Sequence, residues 1–363
     1  MLESSGSDRE DLSSISHTLP KSSLSNALFI AADGGPREAL RPVAEHCGSP
    51  LLDVQDERAE RDEYWAGLFS ARHPGLLLVG TSDSAGGRRI EATARRTAAH
   101  MGIPIAAIED FPGNYYDVPD GGIGLLVVES EFSQVLNARK FGELCPPIVV
   151  VPPARYDPYR VQLAELRHGT AARWAQSAGA DELVLWAGQP ETDDAVNTLR
   201  AVLPLLRDYG ATVLFKAHPR DPGYRLGVYP GLFASAGVRY RDITAYTVTQ
   251  ALELAPRLVI TQFSSVAIEA GFFGVPGLHL LFASAGGTRL KQKKGYLVPP
   301  LCLAGGAAGV TEEALLATAL ARALHDEDFR AKLIGCFDEY YGTGELATPR
   351  LIETVGRFAS WSK

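Results

Sequence analysis

Two stretches decide the fold: Leu214-Phe215-Lys216-Ala217-His218-Pro219-Arg220, and Thr261-Gln262-Phe263-Ser264-Ser265-Val266-Ala267-Ile268-Glu269-Ala270. Each follows a β-branched apolar run that reads as a buried parallel strand. Each therefore sets polar groups where a strand ends, which is the edge where open α/β sheets bind ligands. Ser264 and Ser265 stand where a helix begins, and a helix N-terminus attracts anions. Glu269 lies one helical turn beyond Ser265 on the same face. Lys216 and His218 at one strand end, with a serine pair and a carboxylate at another, suit the phosphates and ribose of a nucleotide.

Outward from these stretches the chain alternates strand-like and helix-like runs, the pattern of a parallel sheet covered by helices. Strands are expected at 27–31, 76–79, 105–108, 125–128 and 148–151, with helices at 38–46 and 88–101. The second of these helices stops at Gly102, with Pro104 after it. A second series follows, with strands at 183–186, 212–216, 238–240, 258–260 and 277–281 and helices at 194–209, 248–254, 265–273 and 312–324. Pro152 and Pro153 open a mixed-charge stretch with a helical run at 159–175. The expected class is α/β, with two doubly wound, Rossmann-like domains facing each other across a cleft. The first domain is expected at 26–155, a linker at 156–180 and the second domain at 181–345.

Composition narrows the function. The 363 residues suffice for two domains, and 46% hydrophobic with 21% charged residues is ordinary for a globular chain. A net charge of −8 argues against general nucleic-acid binding. No apolar run approaches the ~20 residues of a membrane span. Residues 1–25 are rich in serine and charge without an apolar core, and read as a disordered leader. Cys47, Cys145, Cys302 and Cys336 are scattered without metal-like spacing. They suit a reduced, cytoplasmic protein, and neither a metal nor another cofactor is expected.

His218-Pro219 followed by Ser264-Ser265-Val266-Ala267-Ile268-Glu269 resembles the nucleotide-binding half of GT-B glycosyltransferases. The resemblance extends to bacterial capsule and sialic-acid transferases with "HP" and "SS" motifs and to CDP-glycerol glycerophosphotransferases. Val151-Pro152-Pro153-Ala154-Arg155-Tyr156-Asp157 is similar to the strand end where the first such domain hands over to the second. The resemblance implies a nucleotide-sugar donor and a separate, unidentified acceptor. It implies that His218 holds the phosphate and stabilises the departing nucleotide, and that Glu269 accepts from the ribose hydroxyls. It further implies that the last helix (346–363) crosses back onto the first domain.

The first domain is expected to supply a general base. Asp33, in Ala31-Ala32-Asp33-Gly34-Gly35-Pro36, is preferred because its glycines leave room for a substrate. Asp110, in Glu109-Asp110-Phe111, is the second candidate; turn or cap roles compete with both. The related transferases carry the base in an acid-acid-glycine motif, which neither segment completes. Asn114, Tyr115 and Tyr116 are candidate sugar contacts, or packing residues. Gly80–Arg89 forms a small-residue turn able to bring backbone N–H groups to an anion, without a Walker or GxGxxG pattern. The basic run Arg289, Lys291, Lys293, Lys294 reads first as a solvated loop and second as an anion contact.

Three functions fit: glycosyl or polyol-phosphate transfer, UDP-sugar 2-epimerisation, and non-catalytic nucleotide binding. Epimerases of this architecture carry His-Arg-Arg-Glu after the second domain's first strand. Here that position reads Ala187-Gly188-Gln189-Pro190-Glu191, which favours transfer.

Overall fold

The computed structural model describes residues 24–54, 56–115, 122–177, 182–342 and 345–361. Its first sheet consists of β1 (Ala27–Ala31), β2 (Leu51–Asp53), β3 (Leu76–Val79), β4 (Ile105–Ile108), β5 (Ile123–Val128) and β6 (Ile148–Val150). The second consists of β7 (Leu183–Ala187), β8 (Thr212–Lys216), β9 (Tyr240–Asp242), β10 (Leu258–Thr261), β11 (Gly277–Leu280) and β12 (Ala308–Val310). Every pairing is parallel, in the orders β2-β1-β3-β4-β5-β6 and β12-β11-β10-β7-β8-β9. This is the GT-B architecture of two doubly wound Rossmann-like units. Strand order reverses between β1 and β3 in the first sheet and between β7 and β10 in the second, and such switch points are where ligands settle.

The central strands are continuous apolar runs because helices cover both faces. All of β1 and β3 is buried, as is all of β10 and β11. The edge strands β2 and β12 lie outside the expected set. Each is three residues long, too short for a periodic signal. At β9 the strand is Tyr240–Asp242, two residues later than expected, because an exposed edge tolerates Arg241 and Asp242. The basic run forms a helix, Gly287–Lys294, not a loop.

Of the leader expected at 1–25, residues 1–23 lie outside the described residues. Leu24 is buried, and Ser49 Oγ donates to its carbonyl at 3.0 Å. The packed domain therefore includes Leu24. No helix among the described residues is long and apolar enough to cross a membrane.

Two features set how the sheets face each other. Helix Asp157–Val161 carries a buried hub: Asp157 accepts from Ala347 N (2.9 Å), Thr348 N (2.7 Å) and Thr348 Oγ1 (2.7 Å). Arg160 pairs with Asp157 at 2.7 Å and also donates to the carbonyls of Tyr341 and Pro153. Asp157 thus caps the last helix, Ala347–Trp361, whose Leu351, Ile352 and Val355 pack into the first domain's core. On the opposite side, Phe111, Phe132 and Leu136 of the first domain meet Leu290, Tyr296 and Leu297 of the second.

Asp157→Ala should be severely destabilising, because it strands the buried Arg160 charge and uncaps the helix. Loss of one partner of a buried pair costs about 3–5 kcal/mol, measurable by denaturant unfolding. Unchanged stability would contradict the hub.

Candidate functional site

The first wall of the cleft is a turn fixed by carboxylates. Glu91, buried in helix Ala85–His100, accepts from Ser82 N (2.7 Å), Ser82 Oγ (2.6 Å) and Ala32 N (3.3 Å). Asp33 accepts from Asp83 N (2.9 Å), Ser84 N (2.8 Å) and Ser84 Oγ (2.7 Å). Both Asp33 oxygens are therefore engaged in holding the 82–84 turn. The preferred base candidate acts here as a clamp, although it also borders the cleft.

Asp110 stands differently. Its Oδ1 accepts from Thr81 Oγ1 and Asn114 Nδ2, each at 2.9 Å, and its backbone N–H donates back to Thr81 Oγ1 at 3.2 Å. Its Oδ2 is directed at Gly35: a Cβ on that glycine would lie 2.2 Å away. The space left by Gly35 is thus filled by the Asp110 carboxylate at the start of helix Gly34–Cys47. Burial pushes the Asp110 carboxyl above its ordinary range, against the pull of Asn114 and of Arg155.

Two more carboxyls follow strand ends beside it. Glu109 Oε1 accepts from Gly113 N, Tyr115 N and Asn137 Nδ2, anchoring the 111–115 loop, while buried Oε2 has no partner among the described residues. Burial raises Glu109 to about 8 and Glu129, after β5, to about 7. Arg155 lies among Asp110 and Glu129, and its buried Nε and Nη2 have no hydrogen-bond partner among the described residues. Tyr115 is fully buried against Phe141, a packing residue; Tyr116 lies outside the described residues.

The second wall is basic. His218 Nδ1 accepts from Arg220 N at 3.1 Å, so the neutral ring carries its proton on Nε2, a donor for the cleft. Burial lowers this histidine to about 4, with Arg220 adding to the effect. The loop that carries it is tied down by buried Asp221, which accepts from Gly223 N (2.8 Å), Thr192 Oγ1 (2.5 Å) and Tyr229 Oη. Ser264 and Ser265 line the same cleft, and Ser264 Oγ accepts from Val266 N at 3.3 Å.

The cleft between these walls encloses about 540 Å³ and is bordered by Asp33, Asp110, Asn114, His218, Ser264 and Ser265 together. Lys216 and Glu269 are not among its lining residues. Lys216 Nζ donates to the carbonyls of Thr244 (3.3 Å) and Tyr246, bracing the loop after β9. Glu269 Oε2 accepts from Tyr159 Oη of the linker at 2.7 Å. Burial raises this carboxyl.

Helix Gly287–Lys294 joins the two walls. Lys294 Nζ donates to Asp83 Oδ1 at 3.0 Å and to Asn114 Oδ1, and Lys293 Nζ donates to Asp83 Oδ2. Asn114 therefore links a second-domain ammonium to the Asp110 carboxylate, its amide donating one way and accepting the other. Gly113, at φ 80°, lets the first domain come close: a Cβ there would sit 2.8 Å from Lys294 O.

Glu129 and Asp83 were legible by the same strand-end rule that singled out Asp110. Lys294 was not, since its run carries the signature of a solvated surface.

No family model and no curated relative matches the chain. Solved structures match its fold at low identity. UDP-N-acetylglucosamine 2-epimerase from Rickettsia bellii aligns with TM-score 0.61 at 14% identity over 92% of this chain and 97% of its own. The UDP-GlcNAc 2-epimerase from Neisseria meningitidis bound to UDP-GlcNAc gives 0.58 at 14% identity over 91% and 98%. MurG from Acinetobacter baumannii gives 0.58 at 9% identity over 91% and 98%. The shared feature is the GT-B fold, spanning nearly the whole length of each.

Gly35→Ala should force the Asp110 carboxylate off its position, since the new methyl would overlap Oδ2. Overpacking of this kind costs about 1–3 kcal/mol. Thermal unfolding and a crystal structure of the variant would test it; unchanged stability with Asp110 unmoved would contradict the placement.

Proposed function

We propose that the protein is a nucleotide-sugar-dependent glycosyltransferase. The donor's phosphates lie on His218, Ser264 and Ser265, and an acceptor hydroxyl is activated by Asp110. The observation that carries this reading is the position of Asp110: one oxygen pinned by Thr81 and Asn114, the carboxyl raised by burial, and the cleft between it and the His218 wall. A base with raised affinity for a proton, opposite a donor of hydrogen bonds to phosphate, is what glycosyl transfer needs.

In the proposed step the acceptor oxygen attacks the anomeric carbon, and its proton passes to Asp110. The bond from that carbon to the phosphate oxygen breaks, and the electron pair leaves with the nucleotide. The Nε2–H of His218 and the serine hydroxyls meet the charge that develops there. Asp33, with both oxygens committed to the 82–84 turn, keeps the wall in shape and leaves the proton to Asp110. Lys216 and Glu269 act behind the site, bracing the loops and the linker helix.

A second reading, 2-epimerisation of a UDP-sugar, is favoured by Asp110 and Glu129, two carboxyls with raised affinity for protons at neighbouring strand ends. Removing a proton from a sugar carbon and returning it to the other face calls for such a pair. Incubation with UDP-, CDP- and dTDP-sugars, with and without acceptors, separates the two. Nucleotide release that requires an acceptor supports transfer, and sugar interconversion without one supports epimerisation.

Asp110→Asn should bind nucleotide normally and turn over roughly 10²–10⁴-fold more slowly. Full activity in that variant would contradict the assignment of the base. The pH dependence of binding tests His218. Its value of about 4 leaves it neutral at pH 7, and a neighbouring phosphate favours the charged form and moves that value up. Binding therefore takes up a proton and tightens as pH falls through the raised value towards about 4. Calorimetry in two buffers of different ionisation enthalpy should show an uptake that His218→Gln removes. Equal uptake in wild type and variant would contradict it.

A further inference from the structure

A second cavity, of about 310 Å³, adjoins the cleft under helix Gly287–Lys294, and its charge is unlike that of the chain as a whole. Arg220, Arg289, Lys293 and Lys294 line it against only Asp83 and Glu191, although the chain carries 43 acidic and 35 basic residues. We propose that this cavity is an anion subsite for the second substrate, which carries a phosphate ester. This inference rests on the proposed function, in which the donor's own phosphates lie at His218, Ser264 and Ser265.

Lys294 is engaged by Asp83 and Asn114, but the other three cations are held ready and are not used up. Arg289 spends its Nε on Asp194 Oδ2 at 2.8 Å, a contact that orients the guanidinium and leaves its two terminal nitrogens to donate. Lys293 reaches Asp83 with its side chain 40% exposed, so that pair is weakly held. The Arg220 guanidinium has no ion-pair or hydrogen-bond partner among the described residues, while its backbone N–H is fixed on His218 Nδ1. Guanidinium forks facing one space match the oxygens of a phosphate, with charge-assisted bonds stronger than neutral ones.

The remaining lining sets the rest of the ligand. Gln189 and Glu191 offer groups for hydroxyls, and Phe263 and Leu290 give a small apolar surface. This suits a phosphorylated sugar or polyol better than a lipid chain, which would need a wall free of charge. Asp83, Gln189, His218, Arg220, Phe263 and Lys294 border both cavities, whereas Arg289 and Lys293 line the second cavity and not the cleft. A phosphate anchored beneath the basic helix therefore leaves the rest of the same molecule within reach of the cleft that holds Asp110.

The test uses the full chain and two probes, UDP and inorganic phosphate, followed by calorimetry. Phosphate should bind to protein already saturated with UDP. Arg220→Gln/Arg289→Gln should weaken that phosphate binding by roughly tenfold or more, while Arg289→Gln alone leaves UDP affinity within about twofold, since Arg289 lies outside the UDP-phosphate site. Glycerol 3-phosphate and glycerol as further probes separate the ester from the hydroxyls, and only the phosphorylated compound should bind. Phosphate displaced competitively by UDP would overturn the subsite and make this cavity the donor's own phosphate site. No phosphate binding in the presence of UDP, or binding indifferent to both arginine changes, would overturn it as well. Failure of UDP to bind at all would instead sink the donor reading on which the subsite rests.

Discussion

The cleft depends on Asp157. This one carboxylate, buried in the linker, caps the final helix and pairs with Arg160, which in turn holds the carbonyls of Tyr341 and Pro153. A buried charge network of this kind is costly to form incompletely, so its members hold one geometry. The last helix, anchored there, packs into the first core through Leu351, Ile352 and Val355. The two sheets are thereby turned with their carboxyl edges towards each other. Every polar group of the candidate site lies on one of those edges or on the helix that bridges them.

The two edges are not alike. On the first-domain wall, the carboxylates differ in how far their oxygens are engaged. Glu91 and Asp33 spend their oxygens on backbone and serine donors and so shape the turn after β3. Asp110 sits on that shaped turn through Thr81, with an oxygen left towards Gly35 and the cleft. The second-domain wall carries His218, Arg220, Lys293 and Lys294, matched to anions. Lys294 and Asn114 join the walls, so the state of closure and the surroundings of Asp110 are set by the same contacts.

Much of this was legible because parallel sheets write themselves plainly. Apolar runs such as Ala27–Ala31 and Leu258–Thr261 are buried on both faces, and whatever polar residue follows them falls on the ligand edge. That reading put His218, Ser264, Ser265 and Asp110 at strand ends, and all four border the cleft. What escaped was set by tertiary packing. Gly34-Gly35 signals room, yet sequence does not say that a carboxylate from another strand takes the room at Gly35. Lys216 and Glu269 have the right chemistry, but their partners, the Tyr246 carbonyl and the Tyr159 hydroxyl, come from remote segments. The basic helix looks like solvated surface because its partner, Asp83, lies on the other domain. The short edge strands β2 and β12 carry too few residues to show a period.

Under the proposed function, the facing sheet edges hold a nucleotide with its phosphates on the second domain. The most direct measurement is a crystal structure of the full chain with UDP. The diphosphate should lie in the cleft, within hydrogen-bond distance of His218 Nε2 and the Ser264–Ser265 segment, with Asp110 facing it across the cavity. UDP bound outside the cleft, or with its phosphates on the Asp33–Asp110 wall, would contradict it.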